Sequence, residues 1–453
     1  MLDLPDLGDI PEHLPGEPQL PVRSDASTAW IIFTQLLGLV MSSLLMLPLW
    51  PLYLVARLVL PRPPHLAPLE RLLHLLSLIA TEQPPAPGLA GTQRWLIALF
   101  VLRRWSLSPL WGLAWYLDEM LYDQELKATV IRAPLFEISA ARSGSTQIAH
   151  YLEDDPQIAA PPAMYTEFPY LWLWRIVDFA IGRLISAQRM RAFAAGLYPS
   201  TFLERHELDP FRTDTFEMQF LHSQLTGIAM SLGPRAMVAE MNNARVTPET
   251  QTLWRQDFLR FIDGIGRKRL LLAQLRHQSE AAPDSPMPPV HLMIKGHFLN
   301  VAPELAQRYP DARFLTVVRA PHKRLQSIIN FHRVQPLPPG VDPPRWSWLV
   351  RESLEIEIDY CEREMAWFEQ PEGPRRTVVR FDDYVRDLAG TMQHIYRDCL
   401  DQSEPPPHVP RSHAERERSN YTIDRSLAQL GIDSAWLAQR LEPYIAWCRS
   451  RNP

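Results

Sequence analysis

Between Ala26 and Ala56 the sequence carries no charged side chain, and no other feature restricts the fold as strongly. Within it, AWIIFTQLLGLVMSSLLML is long enough to span the roughly 30 Å hydrocarbon layer of a bilayer as one helix. Trp30 and Trp50 bracket the run; at ~1.5 Å per residue they stand about one bilayer thickness apart. Pro48 and Pro51 end or kink the helix, and leave room for a re-entrant hairpin that never crosses. A buried core helix is the alternative. A cleaved signal peptide fits less well, because the preceding segment is acidic and no small-residue cleavage site follows. Residues 1–25 hold Asp3, Asp6, Asp9, Glu12, Glu17 and Asp25 against Arg23, which reads as a flexible acidic tail. Arg57, Arg62 and Arg71 follow the run, so the positive-inside tendency puts the bulk of the chain in the cytoplasm for either topology.

The remainder divides by composition. Residues 63–126 read as helical and apolar, with Trp95, Trp105, Trp111 and Trp115 beside Arg94, Arg103 and Arg104. That mixture suits a helix in the membrane interface or a helical subdomain packed on the body. Residues 127–453 change character. VIRAPLFEISA, PVHLMIKGHFLN, DARFLTVVRA and RTVVRFDDYVRD read as strands, each running into a turn or helix, with a mostly helical insert at about 160–285. Alternating strands and helices predict an α/β fold: a central parallel sheet flanked by helices, P-loop-like, behind an N-terminal hydrophobic helical region. A net charge of only −5 argues against a nucleic-acid partner. The three cysteines, Cys361, Cys399 and Cys448, form neither a disulfide framework nor a metal cluster, so no metal is expected.

The chemistry concentrates in AARSGSTQIAHYL, which follows the first strand and opens a helix. Backbone N–H groups at a helix start, helped by the helix dipole, favour an anion. Gly144 permits close backbone approach, Ser143, Ser145 and Thr146 offer hydroxyls, and Arg142 offers full charge. The turn lacks the Lys and the spacing of a nucleoside-triphosphate P-loop. A Ser/Gly helix cap is the plain alternative. A second unit, RFLTVVRAPHKRLQSIINF, places Arg319 at a strand's C-terminal edge and Ser327 eight residues on, inside the next helix. Ligands of open α/β sheets bind at that edge, and two anion sites suit a nucleotide with phosphates at both ends of its ribose. A third piece, MIKGHFL, ends a strand with Lys295 and His297, and a strand-end His near an anion cradle is a candidate general base.

Together these pieces resemble the sulfotransferases that use 3′-phosphoadenosine 5′-phosphosulfate (PAPS). That family's phosphosulfate loop reads Pro-(Arg/Lys)-Ser-Gly-Thr-Thr; Ala141 to Thr146 stand in its place, with Ala141 for Pro and Ser139 where Gly is common. The family's 3′-phosphate signature is matched by Arg319 and Ser327, and Lys295-Gly296-His297 matches its Lys-Thr-His form. The resemblance covers roughly residues 131–450. Arg142 in place of Lys looks like the bacterial, carbohydrate and tyrosine-protein branches, where a Glu often serves as base, and Glu167 in YTEFP falls about there. The resemblance therefore implies PAPS as co-substrate, bound through Arg142, Ser143, Gly144, Ser145, Thr146, Arg319 and Ser327. Catalysis would fall to Arg142 with His297 or Glu167, His297 being favoured. Arg418, Asn420 and Tyr421 are candidates for the adenine. In-line transfer of a sulfuryl group to a hydroxyl or amine is the expected reaction. The membrane-seeking N-terminus points to a lipid or glycolipid acceptor, with other carbohydrates and small molecules remaining open. A phosphotransferase and an inactive membrane-anchored scaffold are the rivals.

Overall fold

The computed structural model describes residues 25–81, 91–180, 209–216, 248–280, 290–333, 340–341, 346–403 and 425–451, with a few isolated positions between 186 and 196. The acidic tail as far as Ser24, most of the central insert, and Arg418, Asn420 and Tyr421 lie outside these residues.

Five strands form one sheet in the order β2-β3-β1-β4-β5. They are β1 (Leu135–Glu137), β2 (Ile158–Ala159), β3 (His291–Lys295), β4 (Arg313–Val318) and β5 (Arg375–Arg380). Every pairing is parallel. β4 is buried at all six positions, as a strand covered on both faces must be. β5 alternates between half-exposed and buried residues, as suits a sheet edge. Successive side chains of a strand point to opposite faces, and the sequence obeys this. Phe136, Leu292, Ile294, Phe314 and Val318 enter one core, whereas Leu135, Met293, Leu315, Val317 and Val379 enter the other.

Helices cover both faces. α7 (Ser145–Glu153) and α15 (Leu388–Leu400) pack on the second core. The first core takes α10 (Pro248–Glu280), α12 (Pro321–His332), α13 (Trp346–Phe368) and α17 (Glu442–Ser450). Shorter helices complete the body: α8 (Ala163–Glu167), α9 (Leu171–Ala180), α11 (Ala302–Arg308), α14 (Phe381–Arg386) and α16 (Ser434–Arg440). The strands and helices read from sequence around both anion-site segments are present. The short β2 went unread, because a two-residue strand leaves no periodic pattern.

The N-terminal region is α1 (Asp25–Met46), α2 (Leu49–Val59), α3 (Leu69–Thr81), α4 (Gly91–Ser106), α5 (Ser108–Leu121) and α6 (Asp123–Ala128). The uncharged run is thus two helices, not one. The break falls at Leu47 and Pro48, and Pro51 sits in the first turn of α2, where its missing N–H costs nothing. Arg71, read as one of the flanking cations, is buried at 6% exposure, so it faces the protein interior. Among the described residues two stretches, Ser27–Met46 and Gly91–Leu121, are long and apolar enough to cross a membrane.

Candidate functional site

The C-terminal ends of β1, β3, β4 and β5 meet at one edge of the sheet. β1 lies between β3 and β4; the connection from β1 runs to β2 on one side and that from β4 runs to β5 on the other, which makes the crevice between β1 and β4 a topological switch point. Glu137 closes β1 and is paired in register with Lys295 on one side and Leu315 on the other.

From Ser139 to Gly144 the chain turns over that edge into α7. Two residues hold left-handed backbone conformations, Arg142 (φ 64°) and Gly144 (φ 96°). For Arg142 this is a rare conformation, and such strain persists where surrounding contacts enforce it. The contacts are present. Arg142 Nε donates to Ser327 Oγ in α12 at 2.9 Å, and Arg319 Nη1 donates to the Arg142 carbonyl at 3.0 Å. Aromatic rings back both guanidinium groups: Phe331 lies 5.2 Å from that of Arg142, and Phe381 lies 4.3 Å from that of Arg319. Gly144 serves a second need, since a Cβ there would stand 2.7 Å from the Phe381 ring.

The hydroxyls of the loop divide in direction. Ser143 Oγ is buried and has no hydrogen-bond partner among the described residues. Ser145, also buried, turns its hydroxyl inward to Glu137. Sequence had offered both hydroxyls, with that of Thr146, to an anion; in the structure the Ser145 hydroxyl has Glu137 as a partner. Thr146 is half-buried in the first turn of α7.

Beneath the loop lies a polar relay. Glu137 is fully buried, and its Oε1 accepts from the Ser139 N–H at 3.1 Å and from the Ser139 hydroxyl. Its Oε2 has no partner. Ser139 Oγ in turn accepts from the Val317 N–H at 2.7 Å, and the Ser139 carbonyl meets His297 Nδ1 at 2.6 Å. A carbonyl can only accept, so His297 donates Nδ1–H. Burial pushes the Glu137 carboxyl up to about 7, against the opposing pull of Lys295 and of the Ser139 bonds. Lys295 is buried and its Nζ reaches Asp214 at 3.4 Å and Thr215 at 3.3 Å, which ties the segment at 209–216 to the end of β3.

Arg142, Arg319, Ser327 and His297 therefore converge on one edge of the sheet. Glu167 ends α8 and pairs with Arg104 of α4 at 3.4 Å, so it belongs to the junction between the body and the N-terminal helices. Trp174 is buried in the first core, while Phe168 and Trp172 pack among the N-terminal aromatic residues. Phe331, Phe381, Glu137 and Ser139 were not anticipated as site residues. Phe381 had a readable signal, since it directly follows a strand whose C-terminal end lies at this edge. Glu137 had none, because a single acidic residue ending a three-residue strand does not announce that it is buried beneath the loop above.

Among the described residues, no group of three or more His, Cys, Asp or Glu side chains could hold a metal ion. Solved structures of similar shape include sulfotransferase STF1 from Mycobacterium tuberculosis H37Rv, with TM-score 0.53 and 15% identity, covering 83% of this chain and 92% of that one. Sulfotransferase STF9 from Mycobacterium avium matches with the same score and identity, covering 83% of this chain and 90% of that one. Both likenesses concern the fold. In sequence, the chain is 20% identical over 286 residues to the omega-hydroxy-beta-dihydromenaquinone-9 sulfotransferase Stf3 of Mycobacterium bovis and to that of Mycobacterium tuberculosis. That match spans 62% of this chain and 66% of each relative, just under two thirds of its length. The profile of the sulfotransferase family matches residues 134–400, the sheet with both of its anion-site segments, and the chain belongs to that family.

Proposed function

We propose that the protein transfers a sulfuryl group from PAPS to a hydroxyl or amine of an acceptor at the membrane. One observation carries this reading. Arg319 bonds the carbonyl of Arg142 while Arg142 reaches Ser327, so two cationic positions from neighbouring strands share a single crevice. One nucleotide with phosphates on both sides of its ribose suits that crevice better than two separate anions do. The loop itself fits a phosphate. Ser143 Oγ is a buried hydroxyl in want of a partner, and the absence of room for a Cβ at Gly144 makes bare backbone the wall of the cradle.

In this reading the loop N–H groups, Ser143 and Thr146 hold the 5′ end of the donor, and Arg319 with Ser327 holds its 3′-phosphate. When bound, PAPS supplies the activated sulfuryl group. Arg142 presents fixed positive charge where negative charge grows as the bond to sulfur breaks. His297, with its proton on Nδ1 held by the Ser139 carbonyl, carries its lone pair on Nε2, the atom assigned to receive the acceptor's proton. Glu167, already paired with Arg104, is the second candidate base and otherwise orients the acceptor from the membrane side. The acceptor class is a lipid or glycolipid. The relatives similar in sequence are named for an omega-hydroxy-beta-dihydromenaquinone-9, and aromatic residues of α2, α5 and α9 cluster beside the exposed apolar surface of α1 and α2. We place the body in the cytoplasm, from Arg57 and Arg62 following the uncharged run.

Thermal shift tests the donor. Adenosine 3′,5′-bisphosphate should raise the melting temperature, and ATP with magnesium should do so much less. Arg319→Ala should weaken binding of the bisphosphate by roughly 10- to 100-fold, the worth of a charge-assisted hydrogen bond. Unchanged affinity in that variant would sink the assignment. Parallel turnover assays separate the bases: His297→Ala should lose roughly 10²–10⁴-fold in rate, and Glu167→Gln should retain most of it. The reverse result assigns the base to Glu167.

A further inference from the structure

The first two helices lie along the flank of the catalytic body instead of projecting from it. Contacts between α1–α2 and α4–α5 follow both helix pairs from Ile31 to Tyr53. Ile31 and Ile32 pack against the cluster of Leu96, Ile97 and Val101. Gly38 faces the guanidinium of Arg103, and Ser42 Oγ lies 2.9 Å from Ser106 Oγ. Trp50 stacks near Trp105 with ring centres 5.1 Å apart, and Tyr53 sits on Gly112 and Tyr116. The outer pair therefore runs parallel to the inner pair, in the same direction, for its whole length.

The inner pair is fastened to the body from end to end. Gln93, near the start of α4, donates to the Gly340 carbonyl at 3.1 Å, and Val341 joins the same apolar cluster as Leu96. Arg104 meets Glu167, and Trp111 stacks on Tyr170 with Phe168 tilted against it. Near the end of α5, buried Asp118 accepts from the N–H groups of Leu171 at 2.7 Å and Trp172 at 2.8 Å and pairs with buried Lys268 at 2.9 Å. A helix that crosses a bilayer must leave its soluble body beyond one end. Here α1 lies from Ile31 to Ser42 along α4, which is itself fastened to the body, and crossing would draw charged and polar groups such as Arg103 and Arg104 into hydrocarbon.

The opposite face of the outer pair is apolar along its length. Trp30, Phe33, Leu37, Met41, Leu44 and Leu45 on α1 are exposed, and α2 continues the band with Leu58 at 84% and Val59 at 80%. Contiguous apolar surface of this extent marks a binding face. Between Ala26 and Leu69 the charged residues are Arg57, half-buried, and Arg62, which pairs with Asp257 of α10. Exposed Arg103 adds a further positive charge beside Gly38. An apolar band edged by cations complements a leaflet that carries anionic headgroups.

We infer that α1 and α2 lie in the plane of one leaflet, with their outer face embedded about 5–10 Å deep, and hold the protein on the membrane without crossing it. This holds whatever group the enzyme transfers. The test uses the full chain with vesicles of phosphatidylethanolamine and phosphatidylglycerol. Wild type should sediment with the vesicles. The exposed-face variant Leu45→Gln/Leu58→Gln, checked for an unchanged melting temperature, should partition at least about tenfold less. A second measurement does not depend on that variant. Protease-cleavable tags at the two termini, in sealed vesicles prepared from expressing cells, should be cut from the same side. Cleavage from opposite sides overturns the inference in favour of a span. Failure to bind vesicles, with the variant breaking a dimer in solution, overturns it in favour of a second copy on this face.

Discussion

At the scale of single residues, Glu137 is the side chain whose behaviour the fold changes most. It sits at the foot of the anion loop, holds Ser139 through both N–H and hydroxyl, and reaches His297 through the Ser139 carbonyl. Burial raises its carboxyl from 4.5 to about 7. The folded protein therefore binds a proton there that the unfolded chain has released between about pH 4.5 and 7. The corresponding stability is present in full below that window and is lost as pH rises through it. Glu137→Gln keeps an acceptor for Ser139 and removes the titration. The variant should melt close to wild type at about pH 4 and above it at about pH 8, by an amount on the order of 3 kcal/mol at most. Melting curves across pH check this, and a constant difference would mean that folding leaves the Glu137 carboxyl unshifted.

Among the elements, α12 is the one on which the crevice depends, because it carries Ser327 and Phe331 against Arg142. Its own placement rests on a fully buried cation. Arg324 pairs with Glu357 at 2.7 Å and with Glu364 at 3.4 Å, and donates to Tyr444 Oη at 3.0 Å and Cys361 Sγ at 3.0 Å. One residue thereby locks α12 to α13 and α17. Arg324→Met leaves two buried carboxylates without a countercharge and should cost about 3–5 kcal/mol. Calorimetry should show the loss, and the triple variant Arg324→Met/Glu357→Leu/Glu364→Leu should recover much of it. If the single variant is as stable as wild type, the cluster does not hold α12. α12 itself is legible in sequence, from Pro321 in its first turn and the apolar spacing that follows. The cluster is not, since its members are separated by up to 120 residues in the chain.

Over the whole molecule, the joint between the N-terminal helices and the body is built on buried charge. Asp118 of α5 and Lys268 of α10 are 0% and 2% exposed, and the Lys268 ammonium also lies 3.2 Å from the centre of the Trp115 ring. Asp118→Asn strands the lysine and weakens the anchor for the start of α9, with an expected cost of about 3–5 kcal/mol. Limited proteolysis should then cut between α6 and β1, and the single melting transition should separate into two. A variant that resists cleavage as wild type does would mean that the apolar contacts alone hold the layer.

The sequence by itself determined the alternation of strands and helices, the order and spacing of the two segments read as anion sites, and the uncharged run near the N-terminus. These are local patterns, set by side-chain periodicity and turn chemistry within a few residues. Tertiary structure alone decided that Arg142, Arg319, Ser327 and His297 share one edge, and that Ser145 faces down while Ser143 waits for a partner. It also decided that the run breaks into two helices laid along the body. Burial and orientation belong to the neighbours a residue meets in space, and an apolar helix reads the same whether lipid or protein lies against it.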